Sequence, residues 1–319
     1  MKPSISVLMP IYNAEAYLAS AIESVRRQTF EAWELLCLDD GSTDGSQNVV
    51  QRFAHSDRRI RRIALEHQGI VAALNHGVQS AQGEFIARLD ADDIALPNRF
   101  AMQLEFLKRR PDVDLVGGCY QTIDGNGDLG KIQTLPQGYA DVAAALRKSN
   151  CIAHPAVMIR RLVLDRFAGP YREFFPLAED YDLWLRMSKR CRLENLPDVV
   201  LHYRRDFANP RPARTARQAI STLAVLYAHA QECGEPGSEV SPSTPFDESG
   251  LISLGCPLER IHAAVRKALL SEARATAKAG FPAQAKLLIG EAKRYAPRVT
   301  QWRDCLDYAW KIAQVKMAA

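Results

Sequence analysis

Three carboxylates fall within four positions at Asp90, Asp92 and Asp93, directly after the apolar run Phe85-Ile-Ala-Arg-Leu89. Oxygen ligands clustered this closely suit a hard divalent cation that carries phosphate oxygens as its other ligands. Two more acidic pairs stand out. Asp39-Asp40 closes the apolar stretch Trp33 to Leu38, and Glu179-Asp180 opens Glu179-Asp-Tyr-Asp-Leu-Trp184. A plainer reading of the triad is a strand that turns into a helix: Pro97 suits a first helical turn, and acids gather near helix amino ends for dipole reasons alone. The motif D-x-D-D does not decide between the two by itself.

The elements that must position these acids follow from the spacing of apolar residues. Ile5 to Met9 reads as a buried strand stopped by Pro10. Asn13 is then placed to cap a helix whose apolar positions are Ala14, Tyr17, Leu18, Ala21, Ile22 and Val25. Trp33 to Leu38 is a second strand ending in Asp39-Asp-Gly-Ser-Thr-Asp44; Gly41 permits a tight turn, and Ser42, Thr43 or Asp44 can cap the helix that holds Val49, Val50 and Phe53. Ile60 to Leu65 is a third strand. A helix with Ile70, Ala73, Leu74, Gly77, Val78 and Ala81 on one face follows, and Phe85 opens the fourth strand.

Such β-α-β-α-β-α-β alternation predicts an α/β fold with a mainly parallel sheet and right-handed crossovers, so the loops after the strands share one edge. Ligands of open α/β sheets bind at that edge. Were the fourth strand to run on, Asp90 and Asp92 would share a face and Asp93 would point away. Further on, the pattern predicts a helix over 97–110, a strand over 114–118, a plain hairpin turn at Asp124-Gly-Asn-Gly-Asp128 without the ligand spacing of a calcium loop, and within 151–159 a strand preceded by the His154-Pro155 step. The helix from Glu179 places Trp184 one turn after Asp180.

Past Asp206 the composition shifts to Ala, Arg, Leu and Lys. A flexible loop is expected over 234–250 and a helical hairpin over 261–278 and 282–295. The division is therefore a domain over 1–206 and a mostly helical region over 207–319. In the whole chain of 319 residues, 47% hydrophobic and 24% charged, Lys plus Arg exceed Asp plus Glu by 41 to 37. That balance argues against a nucleic-acid binder but allows weak attraction to an anionic membrane face. The seven cysteines show no C-x-x-C spacing, and no stretch approaches a signal peptide or a membrane span, so a reduced, cytoplasmic protein is expected.

Taken in order, Pro10-Ile-Tyr-Asn13, Gln28-Thr-Phe30, Leu38-Asp-Asp-Gly-Ser-Thr-Asp44, Asn75-His-Gly77, Gly83-Glu-Phe-Ile86, Leu89-Asp-Ala-Asp-Asp93 with Pro97 and Arg99, and Glu179-Asp-Tyr-Asp-Leu-Trp184 closely resemble the family 2 glycosyltransferases, inverting enzymes of the GT-A fold. The resemblance spans residues 4 to 205. It implies a donor that is a nucleotide-diphosphate sugar, UDP-sugar first, and an acceptor hydroxyl on a surface polysaccharide, glycolipid or lipid-linked glycan.

By the same resemblance Pro10 and Tyr12 line the base pocket and Asp40, rather than Asp39, accepts the hydrogen bond of the pyrimidine N3 proton. Asp90 touches the ribose or the metal, Asp92 ligates Mg2+ or Mn2+, and Asp180 is the general base, with Glu179 able to exchange roles with it. One departure stands: Leu201-His-Tyr-Arg-Arg-Asp206 puts His202 before the tyrosine and Asp206 near the point where relatives carry a histidine after it, whereas His154 falls at the acceptor-side His-Pro step of many relatives. A sugar nucleotidylyltransferase shares the layout but needs a Gly-rich basic phosphate loop, and residues 10 to 20 hold no Gly, Lys or Arg. A non-catalytic scaffold or glycan-binding module has no physical need for Asp40, Asp92 and Asp180 at separate strand and helix ends.

Overall fold

A computed structural model describes residues 2–167, 169–232 and 247–296. It forms two compact units, one of residues 1–173 with 180–204 and one of residues 174–179 with those from 205 onward. Most of the loop expected over 234–250, together with Cys233 and Cys305, lies outside the described residues.

In the first unit β1 (Ile5–Ile11), α1 (Glu15–Arg26), β2 (Trp33–Asp40), α2 (Ser46–Ser56), β3 (Ile60–Leu65), α3 (Ile70–Ser80) and β4 (Phe85–Arg88) alternate in the order that the apolar spacing predicts. β1 pairs in parallel with β2 and β4, and β2 with β3; all eight residues of β2 are buried, as befits a strand covered on both faces. The helical stripes do the covering. Leu18, Ile22 and Val25 of α1 are fully withdrawn from water and share a core with Val7, Trp33, Leu35 and Phe85. Each such side chain contributes about 1.5–3 kcal/mol of transfer free energy.

Beyond β4 come β5 (Ile94–Ala95), α4 (Arg99–Arg109), β6 (Leu115–Ile123), β7 (Leu129–Gln133), α5 (Tyr139–Leu146), β8 (Met158–Arg160), α6 (Arg161–Leu164), α7 (Glu179–Ser188) and β9 (Leu193–Arg204). The sheet order is β3-β2-β1-β4-β8-β6-β9-β5, with β7 beside β6. β8 runs antiparallel to both β4 and β6, so the sheet is parallel in its first half and mixed in its second.

The strand expected after the His154-Pro155 step is the short β8; Pro155 withholds a ladder hydrogen bond and sits just before it inside a 3-10 turn, His154–Ala156. Two local expectations are corrected. The strand expected over 114–118 continues to Ile123 and forms a hairpin with β7; Asp124 Oδ1 closes the turn by accepting from the amides of Asn126 (2.8 Å) and Asp128 (2.9 Å). Asn13 is not the cap of α1. It adopts φ 51°, and its Oδ1 accepts from the Thr43 amide at 2.8 Å, while the first amides of α1 are taken by Ser46 Oγ (to Ala14, 2.9 Å) and Asp44 Oδ2 (to Glu15, 3.0 Å). The loops after β1 and β2 thus cap one another.

The second unit contains α8 (Pro212–Glu232), α9 (Glu248–Ser253), α10 (Leu258–Lys278) and α11 (Pro282–Arg294). Its core is Ala216, Val265, Leu269, Ala273, Leu288 and Ile289, and the expected hairpin reverses at Gly280, whose φ of +89° is open to glycine at no steric cost. Among the described residues no helix is long and apolar enough to cross a membrane.

Candidate active site

The acidic triad is assembled by the end of a strand. β4 stops at Arg88, two residues before Asp90, so strand alternation never reaches Asp90, Asp92 and Asp93, and the chain then turns with the Asp93 amide donating to the Asp90 carbonyl at 3.3 Å. The expectation that Asp93 points away is therefore overturned: one oxygen from each of Asp90, Asp92 and Asp93 lies within 4.8 Å of the others. Strand periodicity does not apply to a turn.

Cations surround the triad. The buried guanidinium of Arg88 forms an ion pair with Asp90. Arg99, equally buried at the start of α4, donates through Nη2 to the Arg88 carbonyl at 2.8 Å, which fixes the strand end. From β9 the Arg204 amide donates to Asp93 Oδ1 at 2.8 Å, its Nε to the Asp92 carbonyl at 2.8 Å, and its Nη1 to the Asp124 carbonyl at 2.6 Å.

This compensation is incomplete. Burial, then Asp90 and Asp92, hold the Asp93 carboxyl well above the usual range, and withdrawal from water followed by the Asp90 charge pushes Asp92 up to about 6. Asp92 as a residue is still exposed, so the mutual repulsion is the durable part of its shift. Asp93 Oδ2 is buried and has no hydrogen-bond partner. Three converging carboxylates with one orphaned oxygen are a donor set that fits a hard divalent cation.

The other acidic pair is settled differently. Asp39 is buried and neutralised by Arg62 (Nη2 to Oδ2, 2.6 Å), while its Oδ1 accepts from the Ser42 amide at 3.0 Å. Asp40, one residue on, faces the loop after β3. Its Oδ1 accepts from the Gln68 amide at 2.9 Å, and its Oδ2 from the Gly69 amide at 3.0 Å and from His67 Nδ1 at 2.9 Å. The His67 ring stacks on Tyr12, centroids 4.2 Å apart and planes 16° apart. Tyr12 is 49% exposed, and Pro10, in β1 opposite Leu38, is half-buried. Gly41 makes the approach possible: it takes φ +72°, and a Cβ there would lie 3.2 Å from the backbone nitrogen of His67.

Asp180 is the second residue of α7 and is partly buried. Its Oδ1 accepts from the Tyr181 amide (2.7 Å) and its Oδ2 from Asn150 Nδ2 (2.9 Å). Burial raises its pKa against the opposing pull of those two hydrogen bonds and of Arg88. Glu179, before it, is buried. Asp182 is committed to structure, fully buried and held by Arg172 (Nε, 2.9 Å) and Arg186 (Nε, 3.0 Å).

Trp184 is fully buried, edge-on to His154 at 5.7 Å. His154 in turn pairs through Nε2 with the Tyr171 hydroxyl at 3.0 Å, and burial and Arg88 hold its pKa well below the usual value, so it packs as a neutral ring. His202 lies in β9 opposite Ile94, where burial lowers its pKa. A cavity of about 790 Å3, lined by Lys2, Trp33, Arg58, Arg59 and Arg61, opens near the starts of β1 and β2. Its only acids are Glu31 and Glu34, none of those described above, and ligands of open α/β sheets bind at the opposite ends of the strands.

With this geometry in place, comparison with known proteins is informative. Residues 6–167, about half of the chain, match the family described as Glycosyl transferase family 2. The chain belongs to that family. It is similar to a UDP-Glc:alpha-D-GlcNAc-diphosphoundecaprenol beta-1,3-glucosyltransferase, WfgD, of Escherichia coli: 36% identical over 187 residues, 58% of this chain and 70% of that one. It is also similar to the amylovoran biosynthesis glycosyltransferase AmsE of Erwinia amylovora, 33% identical over 214 residues, 65% of this chain and 79% of that one.

Two solved structures share the GT-A glycosyltransferase fold with it. One is TarS 1-349 of S. aureus in complex with UDP-GlcNAc (TM-score 0.57, 18% identity, covering 93% of this chain and 92% of that one). The other is the mannosyltransferase PcManGT of Pyrobaculum calidifontis in complex with GDP-Man and Mn2+ (TM-score 0.56, 20% identity, 98% and 86%). The family member described here is thus a glycosyltransferase.

Sequence reasoning passed over Arg88, His67, Asn150 and Arg62. The first sits in an apolar strand and the others in segments without a motif of their own, so only the partners Asp90, Asp40, Asp180 and Asp39 could have pointed to them.

Proposed function

We propose that this glycosyltransferase moves a sugar from a UDP-sugar to a hydroxyl of a glycan or lipid-linked glycan in surface polysaccharide synthesis, by a single inverting displacement in its 1–206 region. The 207–319 region is read as a separate helical part, and peripheral contact with an anionic membrane face suits a lipid-linked acceptor. The observation that carries the reading is the convergence of Asp90, Asp92 and Asp93 at the carboxyl end of β4. Names of relatives support the donor and the acceptor class: WfgD carries both UDP-Glc and a diphosphoundecaprenol in its name.

In this scheme Pro10 and Tyr12 line the base pocket and Asp40 accepts the N3 proton of the pyrimidine, its carboxylate already aimed by the amides of Gln68 and Gly69. Asp92 and Asp90 would hold Mg2+ or Mn2+, or Asp90 would touch the ribose instead. A divalent ion there supplies Lewis-acid neutralisation of the departing diphosphate. Asp180 takes the proton of the acceptor hydroxyl as it attacks the anomeric carbon, and its raised pKa brings it nearer the working pH, where a general base is most effective. Glu179 is the alternative base. A thermal-shift panel of UDP-, GDP- and ADP-sugars with Mn2+ tests the scheme. UDP-sugars should stabilise the protein most; equal stabilisation by purine donors, or undiminished sugar transfer in excess chelator, contradicts it.

A further inference from the structure

Two contacts define how a pyrimidine would be recognised at the Tyr12–Asp40 corner: a flat ring face against Tyr12 and a ring N–H donated to the Asp40 carboxylate. Both are already made, by His67. Its imidazole lies on Tyr12 with centroids 4.2 Å apart and a 16° tilt, and its Nδ1 stands 2.9 Å from Asp40 Oδ2. We infer that His67 is the resident occupant of the donor-base slot and must swing out before a pyrimidine nucleotide can bind, which makes it a determinant of donor affinity. The inference rests on the reading of Tyr12 and Asp40 as the base pocket.

The surroundings are arranged for such an exchange. The His67 side chain is 56% exposed, so it can rotate into solvent with little loss of packing. Gly69, two residues on, has φ +93° and no atom within 4 Å of where its Cβ would be, so the space beside it is open. Asp40 does not depend on the histidine for its orientation: the Gln68 amide holds Oδ1 and the Gly69 amide holds Oδ2 whether or not the imidazole is present. The exchange therefore swaps one stacked, hydrogen-bonded ring for another on a fixed acceptor. The measured affinity is the difference between the two. An imidazole also covers only a single-ring footprint, in keeping with a slot for pyrimidines.

The test is titration calorimetry of UDP, with Mn2+, into the full chain. Removing the competitor in His67→Ala should tighten UDP binding roughly three- to tenfold, the scale of one aromatic contact and a partly recovered hydrogen bond. His67→Phe, which keeps the stack without the N–H, should fall between that variant and wild type. In wild type, the His67 ring proton resonances, shifted by the Tyr12 ring current, should move towards solvent-exposed values as UDP saturates. Unchanged or weaker UDP binding by His67→Ala, or a His67 signal that UDP leaves in place, overturns the inference. Asp40→Ala separates this from failure of the pocket itself. Loss of UDP affinity there with no gain in His67→Ala removes the inference alone, whereas unaltered UDP affinity in Asp40→Ala removes the pocket and the inference together.

Discussion

The two strand ends that carry acids, β2 and β4, treat the same side chain in opposite ways. At β2 the charge of each carboxylate is met by the protein: Asp39 by Arg62 and Asp40 by two backbone amides and His67. At β4 the acids crowd each other, Asp92 and Asp93 are pushed up in pKa, and a buried oxygen of Asp93 goes unpaired. The lesson is one of division of labour. On the roles proposed above, the carboxylate that meets a neutral N–H is held still by its own fold, while the carboxylates that would receive a cation are left under-compensated, so that the cation itself would relieve the repulsion.

The largest break in that comparison comes from the β4 side. If Asp92 holds the metal as proposed, Asp92→Ala should lower sugar transfer by on the order of a thousandfold and abolish the Mn2+-dependent part of nucleotide binding, with circular dichroism unchanged, because its removal would leave the diphosphate charge unmet. Next in size is Asp180→Asn. It should lower kcat by on the order of a hundredfold or more with the KM for donor nearly unaltered, while Glu179→Gln does less; the reverse order in steady-state kinetics would reassign the base.

Asp39→Asn sharpens the contrast through stability. It strands Arg62 opposite a neutral amide and should cost about 2 kcal/mol in urea unfolding, below the roughly 3–5 kcal/mol of a fully buried pair because Arg62 is 26% exposed. In chelator at pH 7, Asp92→Asn should do the opposite and stabilise the fold by about 1 kcal/mol or less, since screening at an exposed site discounts the shift. The sign follows from linkage. A folded-state pKa of about 6 lies above the unfolded value, so the folded state binds the proton more tightly; the contribution is fully present below about pH 4 and lost as pH rises through 6. The advantage of Asp92→Asn in melting temperature should hence be full above pH 6 and vanish near pH 4. Saturating Mn2+ should invert it by stabilising the wild type alone.

The parts of the molecule that were legible in the sequence are those in which one chain segment carries its own signal. β1 to β4 and their helices announce themselves by runs such as Leu18, Ile22 and Val25, whose spacing alone determines which face is buried. The triad was legible by residue type, but not the convergence of Asp93 with the others, since nothing in Leu89-Asp90 says that β4 ends at Arg88. The two-residue strand β5 exists only because Ile94 and Ala95 meet His202 and Leu201, more than a hundred positions away, and no local pattern encodes such a partner. Asn13 misled for a related reason. Its side chain is suited to a cap, yet Thr43 of another loop claims it, and tertiary context overrides the local preference. His67, an exposed loop residue, gave no periodic signal at all.

The grip of Arg204 on the triad also has a consequence in time. This one residue, at the end of β9, reaches Asp92, Asp93 and Asp124, and its bond to Asp93 closes a sequence separation of 111 positions. Contacts that far apart form late, because the intervening loop must be closed before they give anything back. On the ribosome, the β1 to β4 half has emerged long before Arg204 is made, and until then Asp90, Asp92 and Asp93 repel one another with the β9 clamp missing. The corner of the acidic triad is consequently the last part of the crevice to mature, after the Tyr12–Asp40 corner, which draws all its partners from the first 69 residues. A nascent chain would hold the Tyr12–Asp40 corner ready while the triad still waits for β9.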